Sequence, residues 1–207
     1  ARGYTHTYNV ARGRHAVVRN RELAALALGY GPPTTPPDYG IRAPVPPTLT
    51  LPHKGGEDFF GRPYVVCLHG TSRASKEWPE SHWRELSERL ANSGYAAIFP
   101  WGNETEKARA ERLGAGGGSP IVLPRLGLRD LAAILGRAQA VVGVDSGLTH
   151  LACALDRPTV AIYTDTSPVL TGVYPRDASR AVNLGKAGTT PSVDAVWIVL
   201  ARWTPAP

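Results

Sequence analysis

The sequence predicts an α/β fold, with a Rossmann-like parallel sheet that carries helices on both faces. Two observations support this fold class. Short apolar runs alternate with amphipathic segments along the chain from residue 63 onward, and glycine, proline or polar turns separate them. Such alternation is typical of βαβ units, which force their strands into a parallel sheet. The 207 residues suffice for one large domain, and no apolar run is long enough for a transmembrane helix.

The elements are predicted in order along the chain. A helix is expected over residues 15–28 with Gly29 as its stop, and the nine prolines within residues 30–63 indicate a linker or surface segment. Strands are predicted at residues 64–68, 95–99, 121–123, 141–144, 159–163 and 181–184. Helices are predicted at residues 81–93, 103–113, 128–137, 147–155 and 192–203.

The helix assignments depend on apolar residues at helical spacing. The predicted buried stripes consist of Val17, Leu23, Leu26 and Ala27 in the first helix, Trp83, Leu86 and Leu90 in the second, Leu128, Leu131, Ala132 and Leu135 in the fourth, and Leu148, Leu151, Ala152 and Leu155 in the fifth. The strands are short continuous apolar runs, as in YVVCL, which is the pattern of strands buried on both faces.

Charge and cysteine content narrow the possible partners. The net charge is +6, and five arginines with no acidic residue occur in the first 21 residues. Such a balance favours phosphate groups of nucleotides or anionic lipid, although a solvated basic face is the simpler alternative. Basic and aromatic residues do not interleave, so no nucleic-acid partner is expected. Cys67 and Cys153 lie in apolar patterns and predict buried thiols of a reducing compartment, with one disulfide as the alternative.

Ligands of parallel sheets bind outside the carboxyl ends of the strands, and polar residues cluster there. The loop HGTSRASKEWP after the first strand contains hydroxyls, Arg73 and Lys76. These donors suit phosphate oxygens, and the alternative is a polar surface loop with a helix cap. The predicted phosphate donors are His69, Thr71, Ser72, Arg73, Ser75 and Lys76.

Two further loops follow strands on the same edge. PWGNETE offers Trp101 and Glu106, whose carboxylate either accepts from a ribose or complements the dipole of the next helix. After the fourth strand, Asp145 or Ser146 is an ordinary helix cap or part of an anion site at the helix start. His150 lies one turn later and projects toward that same opening. The alternative is a structural role, which is the more common one for a lone histidine.

Other apparent motifs are set aside. The glycine run GAGGGS follows a helix and precedes a strand, the reverse of a dinucleotide fingerprint. No His/Cys spacing of a structural metal site occurs, so no metal is expected. A Gly-x-Ser-x-Gly elbow is also absent from the sequence, which argues against a hydrolase triad.

Three segments carry a resemblance to a known family: HGTSRASKEWPESHWREL, FPWGNETEKARAERL and VDSGLTHLACALDRPTVAIYTDTSPVLTGVYP. They resemble the C-terminal half of the lipopolysaccharide heptosyltransferases of Gram-negative bacteria, most of all the members that add the first heptose of the inner core. The resemblance implies a GT-B architecture of two Rossmann-like domains. It also implies a metal-independent, inverting transfer of heptose from ADP-L-glycero-D-manno-heptose to Kdo2-lipid A, without a cofactor.

The resemblance assigns roles to individual residues. Thr71, Ser72 and Lys76 match the loop that contacts the diphosphate, Glu106 matches the acid that binds ribose, and Leu126 matches an apolar residue of the adenine pocket. Asp145 matches the carboxylate that holds the sugar hydroxyls, followed by Ser146, Gly147, Leu148, Thr149 and His150 at the helix start. Lys76, Asp145 and His150 are the residues expected to act in catalysis.

The departures from the family pattern are equally informative. Thr164-Asp165-Thr166-Ser167-Pro168 stands where relatives have Gly-Pro-Thr-Asp-Pro, so a different loop shape is expected there. The acceptor-binding domain with the proposed general base is not among these residues, and the sequence has no methionine. We therefore expect a piece of a longer protein that begins near the interdomain linker and is inactive alone.

The resemblance divides the chain into residues 1–62 as a linking segment, 63–190 as the donor-binding domain and 191–207 as a terminal helix. It implies a location at the cytoplasmic face of the inner membrane, with peripheral contact to the membrane surface. Two alternatives stay open: a non-catalytic module that binds nucleotide or anionic lipid, and another GT-B transferase or sugar-nucleotide epimerase.

Overall fold

The computed structural model describes residues 5–44, 62–118 and 120–205. Within them, the helices are α1 (Ala16–Leu28), α2 (Glu80–Asn92), α3 (Glu104–Gly114), α4 (Leu128–Arg137), α5 (Gly147–Ala154), α6 (Pro168–Thr171) and α7 (Val193–Leu200). The strands are β1 (Tyr64–Leu68), β2 (Ala96–Phe99), β3 (Ile121–Val122), β4 (Ala140–Val144), β5 (Thr159–Tyr163) and β6 (Ala181–Gly185). Short 3-10 turns occur at Ala74–Lys76 and Ala178–Arg180.

The six strands form one sheet in the order β3-β2-β1-β4-β5-β6, and every pair is parallel. This order confirms the predicted Rossmann-like sheet. The order reverses between β1 and β4, where Leu68 pairs with Gly143. In open α/β sheets such a switch point creates a crevice at the carboxyl ends of the strands, because the segments that follow the two strands leave toward opposite faces of the sheet.

Helices cover both faces of the sheet. On one face, Trp83, Leu86 and Leu90 of α2 are fully buried in a core that also contains residues of α3 and α7. On the other face, α4 and α5 pack over the sheet with Leu135 and Ala152 fully buried. The predicted stripe of α2 is therefore confirmed, and α2 and α5 enclose the crevice from opposite sides.

Three predicted apolar stripes are only partly buried; in α5 the residues concerned are Leu148 and Leu151. Leu23 and Leu26 of α1 are 44% and 43% exposed, and Ala25 is the buried residue of this helix. These leucines lie on a face of α1 that the described part of the chain does not bury. Leu128 was predicted to face the core with its α4 neighbours, but it is 66% exposed, because it lines an open cavity at the start of α4.

The remaining expectations concern the linker and the cysteines. Residues 30–44 contain no helix or strand, and the rest of the proposed linker, residues 45–61, lies outside the described residues. Cys67 and Cys153 are both buried and free, and they belong to separate core clusters. The predicted buried thiols are thus confirmed, and the disulfide alternative is wrong. The three-part division of the chain stays a prediction.

Candidate functional site

A lysine–aspartate ion pair lies at the switch point of the sheet. Lys76 ends the 3-10 turn after β1, and Asp145 is the first residue after β4. The Lys76 Nζ is 2.6 Å from Asp145 Oδ2, and the two side chains are only 13% and 11% exposed. The neighbouring strands therefore bring together two residues that the sequence had placed on one edge of the sheet.

Hydroxyl groups from two loops fix this pair. Thr166, in the loop after β5, donates to Asp145 Oδ2 at 2.7 Å, and Thr71 donates to the main-chain oxygen of Asp145 at 3.1 Å. Ser75 donates to Asp165 at 2.7 Å, which joins the β1 and β5 loops. Sequence reasoning missed Thr166 and Asp165 as site residues; their position after a strand of the same sheet was the available signal.

The surroundings of Asp145 keep its carboxylate ionised. Burial acts to raise its pKa, but hydrogen bonds from Lys76 and Thr166, together with the lysine charge, outweigh burial and hold the pKa below its usual range. The Oδ2 atom accepts both of these hydrogen bonds. The Oδ1 atom faces His150, whose Nε2 is 4.0 Å away.

His150 borders the pair as a neutral imidazole. Burial and the charges of His15 and Lys76 lower its pKa, and they outweigh the opposing effect of Asp145. Its side chain remains 43% exposed. The structure therefore places His150 beside Asp145 at the mouth of the crevice, where it can exchange hydrogen bonds with a bound polar group.

The start of α5 leaves backbone amides uncapped by side chains. Ser146 is the N-cap residue but makes no side-chain bond to these amides, and its hydroxyl instead lies 3.1 Å from that of Thr149. No atom would lie within 4 Å of a Cβ at Gly147, so a ligand can approach closely. Since Asp145 pairs with Lys76, neither candidate cap caps this helix.

Thr149 differs from its predicted position at the ligand edge. Its side chain is fully buried and donates to the carbonyl of Val144 at 2.6 Å, so the hydroxyl faces the strand. The reason is helix geometry: the residue lies on the inner face of the first turn of α5. Any ligand contact by Thr149 is therefore limited to its backbone.

A cavity of about 600 Å³ opens beside the start of α5. Its apolar wall and polar rim come from the loops after β1, β2, β3 and β4 and from α4 and α5. The lining includes Leu68, Gly70, Trp101, Glu106, Leu126, Leu128, Leu131, Ser146, Gly147, Leu148 and Leu151. The cavity thus contains Trp101, Glu106 and Leu126, which the sequence predicts for nucleotide binding.

Glu106 connects two loops at the rim of this cavity. Its Oε2 accepts from the amide of Gly102 at 2.8 Å, while its backbone amide is capped by Asn103. The carboxyl group packs against Gly70, where a Cβ would lie 2.7 Å from the carboxyl carbon. Glu106 therefore supports the start of α3 and also lines the cavity. The ribose contact stays a prediction.

The other residues of the β1 loop divide into exposed and buried groups. Ser72 and Arg73 are exposed. His69 is completely buried, and its Nε2 donates to the carbonyl of Pro100 at 3.1 Å. Burial, assisted by the charge of Arg109, lowers the pKa of His69 to about 4. The structure thus makes His69 a neutral link between the β1 and β2 loops, and the predicted phosphate contact does not fit its burial.

Two further findings concern metals and membranes. Across residues 5–44, 62–118 and 120–205, no group of three or more His, Cys, Asp or Glu side chains could hold a metal ion. Within the same ranges, none of the helices has the length and apolar character needed to cross a bilayer.

Comparison with known proteins points to one family. Residues 1–196 match the family described as glycosyltransferase family 9 (heptosyltransferase). The chain is 44% identical over 176 residues to lipopolysaccharide heptosyltransferase 1 of Pseudomonas aeruginosa, covering 85% of this chain and 47% of that protein. It is also 44% identical over 171 residues to lipopolysaccharide heptosyltransferase 1 of Escherichia coli K12, covering 83% and 51%.

Solved structures show the same likeness. The E. coli heptosyltransferase WaaC with ADP superposes with a TM-score of 0.80 at 37% identity, covering 97% of this chain and 60% of that one. The same enzyme with ADP-2-deoxy-2-fluoro heptose gives a TM-score of 0.76 at 35% identity, covering 96% and 59%. This chain spans about half the length of the curated relatives it matches.

Proposed function

The chain belongs to glycosyltransferase family 9, the heptosyltransferase family, and on that premise we propose that it is the donor-binding part of a heptosyltransferase. The proposed reaction moves L-glycero-D-manno-heptose from ADP-heptose to the Kdo of Kdo2-lipid A in synthesis of the lipopolysaccharide inner core. The observation that carries the proposal is the Lys76–Asp145 pair at the switch point, together with the nucleotide-sized cavity that the uncapped start of α5 lines.

The cavity suits the adenosine part of the donor. The adenine ring would lie against its apolar wall, which includes Leu126, and the exposed edge of Trp101 borders the same space. Trp101 is held there by its ring N–H, which donates to the carbonyl of Leu123 at 2.6 Å. The Glu106 carboxylate at the rim would accept hydrogen bonds from the ribose hydroxyls.

The diphosphate and the sugar extend from this cavity toward the ion pair. The hydroxyl of Ser72, the ammonium of Lys76 and the amides at Gly147 are the donors for the phosphate oxygens. The hydroxyl of Thr71 joins them once it turns away from the main-chain oxygen of Asp145. The heptose then reaches Asp145 and His150, whose facing atoms can bind its hydroxyls. This assignment agrees with the names of the solved relatives, which were determined with ADP and with an ADP-heptose analogue.

In the proposed reaction, an acceptor hydroxyl attacks the anomeric carbon of heptose from the face opposite ADP. The bond from that carbon to the phosphate oxygen breaks, and the electron pair leaves with ADP, so the configuration inverts. Lys76 and the amides of α5 stabilise the charge that develops on the departing diphosphate. The group that takes the acceptor's proton is proposed to lie outside the donor site.

The same donors lead us to propose that no cofactor is needed, since Lys76 supplies a positive charge at the diphosphate. Because the proposed acceptor is a lipid, we place the enzyme at the cytoplasmic face of the inner membrane, with peripheral contact to its surface. The arginine-rich segment at residues 12–21 offers a cationic surface for that contact.

Calorimetry with ADP tests the donor site. We expect the purified chain to bind ADP, and Lys76→Ala to weaken binding by about tenfold to hundredfold, because a charged hydrogen bond to phosphate is lost. The variant Arg12→Ala/Arg14→Ala is the control and should bind ADP like the parent. A chain that binds no ADP at millimolar concentration would contradict the donor-site assignment.

The alternative of an anionic-lipid binding module is favoured by the basic N-terminal segment and makes the opposite prediction. In that case Lys76→Ala would leave ADP binding unaltered. Loss of co-sedimentation with anionic liposomes by the arginine variant is expected under both proposals, because both use the basic segment for membrane contact. Comparing which sugar nucleotide most raises the unfolding temperature distinguishes a heptosyltransferase from another GT-B transferase or an epimerase.

A further inference from the structure

The cation assigned to the diphosphate is already neutralised in the unliganded protein. Lys76 Nζ lies 2.6 Å from Asp145 Oδ2, and both side chains are almost buried. Because little water separates them, salt screens this pair weakly. An incoming diphosphate therefore meets an ion pair with no net charge, and it meets the carboxylate as well as the ammonium.

The two carboxylate oxygens of Asp145 have different neighbours. Oδ2 accepts hydrogen bonds from both Lys76 and Thr166. Oδ1 has no such donor among the described residues and stands 4.0 Å from His150 Nε2. A sugar hydroxyl placed between them can donate to Oδ1, whereas a phosphate oxygen, which has no proton to donate, cannot.

The donor and its nucleotide product differ at this position. The terminal phosphate of ADP carries close to two negative charges at neutral pH, and the same phosphate esterified to a sugar carries one. A buried carboxylate repels the first more strongly than the second, because like charges brought together in a desolvated site are costly.

We propose that Asp145 is a specificity-determining residue that makes the site favour the sugar nucleotide over free ADP. Its Oδ1 accepts from the sugar, while its charge disfavours a terminal phosphate and holds Lys76. The inference rests on the proposed function, because it takes ADP-heptose as the donor. Its consequence is that the departing ADP is destabilised in the site as soon as the sugar leaves.

The variant Asp145→Asn tests this inference on the full 207-residue chain. Its amide oxygen can still accept from Thr166, but the charge is gone and Lys76 is released. We expect calorimetry to show ADP binding about tenfold tighter and ADP-heptose binding about tenfold weaker than in the parent. The preference for the sugar nucleotide would thus fall by about a hundredfold.

Asp194→Asn is the matched control, since it removes the same charge from an exposed position at the start of α7. Asp194 is 74% exposed and pairs with Arg89, so both affinities should stay within about twofold of the parent. Thermal unfolding without ligand checks that each variant is folded. A change in preference equal to that of Asp145→Asn would show a general charge effect and overturn the assignment.

A second measurement needs no variant. ADP carrying a methyl ester on its terminal phosphate has one charge less than ADP and no sugar hydroxyl. The parent chain should bind this ester more tightly than ADP, and tighter binding of ADP would overturn the inference. If the parent binds neither ADP nor ADP-heptose, the proposed function itself fails. If it binds both and Asp145→Asn leaves their ratio unchanged, only the specificity role is lost.

Discussion

Replacing His69 with glutamine should change how the stability of the fold depends on pH. His69 is fully buried with a pKa of about 4, whereas a histidine in an unfolded chain has a pKa near about 6.5. Below a pH of about 6.5, the histidine of the unfolded chain binds a proton, whereas His69 of the folded chain does not. His69 therefore contributes stability that is fully present above the pKa of the histidine in the unfolded chain. This stability is lost as the pH falls toward the pKa of His69 in the folded chain.

The gap between the two pKa values, about 2.5, corresponds to about 3 kcal/mol of unfolding free energy. Glutamine can still donate to the Pro100 carbonyl but does not titrate. Between about pH 7 and about pH 4.5, we expect His69→Gln to lose about 2 to 3 kcal/mol less stability than the parent. Urea unfolding, followed by the fluorescence of the buried Trp78 and Trp83, measures this difference at each pH.

His6→Gln serves as the control, because His6 is exposed and its ring bonds only to the neighbouring Thr5. Its profile should follow that of the parent. Parallel profiles for the parent and His69→Gln would refute the reasoning, since they would mean that the folded state accepts a proton on His69 as readily as the unfolded chain does.

Two further predictions concern the cavity rim and the buried thiols. Gly70→Ala would place a Cβ 2.7 Å from the carboxyl carbon of Glu106, so the carboxylate must move, and ADP affinity should fall by about fivefold to tenfold in calorimetry. Gly13→Ala, where a Cβ would meet nothing within 4 Å, should bind ADP like the parent; equal affinities for all three chains would contradict the role of Gly70. Burial raises the pKa of Cys67 and raises that of Cys153 to about 11, so both should react with Ellman's reagent only as fast as the chain unfolds. Rapid reaction of the native chain would show that the thiols are reachable in the folded state.

The sheet was predictable because its strands are buried on both faces. A run such as YVVCL is apolar throughout and is bounded by Pro63 and His69, so its limits are visible in the sequence, and the structure places β1 at those residues. The stripe of α2 was predictable for a related reason, since Trp83, Leu86 and Leu90 all lie on the one face of the helix that is buried. Local pattern and final burial agree wherever the element packs directly on the sheet.

Prediction failed where burial depends on a partner that local pattern does not specify. Leu23 and Leu26 have helical spacing, but spacing alone cannot say whether another element covers that face. Leu128 fits the α4 stripe, yet it lines an open cavity and is largely exposed. Periodicity predicts a helix and its faces, and the tertiary arrangement decides which faces are buried.

In the candidate site, too, the positions of residues were predictable from the sequence but their contacts were not. The carboxyl ends of strands indicated which loops to search, and Lys76 and Asp145 were both found there. Their contact was not predictable, because they are far apart in sequence and meet only through the pairing of β1 with β4. Thr166 was missed for the same reason, since a hydroxyl in a loop has no pattern that reveals its partner.

The pairing of Leu68 with Gly143 makes the geometry of the site depend on a glycine that no ligand would touch. A Cβ at Gly143 would collide with the hydroxyl group of Thr149 and press on Leu68. A one-residue slip of β4 that relieved such a collision would turn its side chains to the opposite face of the sheet and move Asp145 away from Lys76. Substitutions at this buried position would thus change the affinity of the proposed donor site without touching the ligand. Selection on the site would therefore also act on a residue in the interior of the sheet.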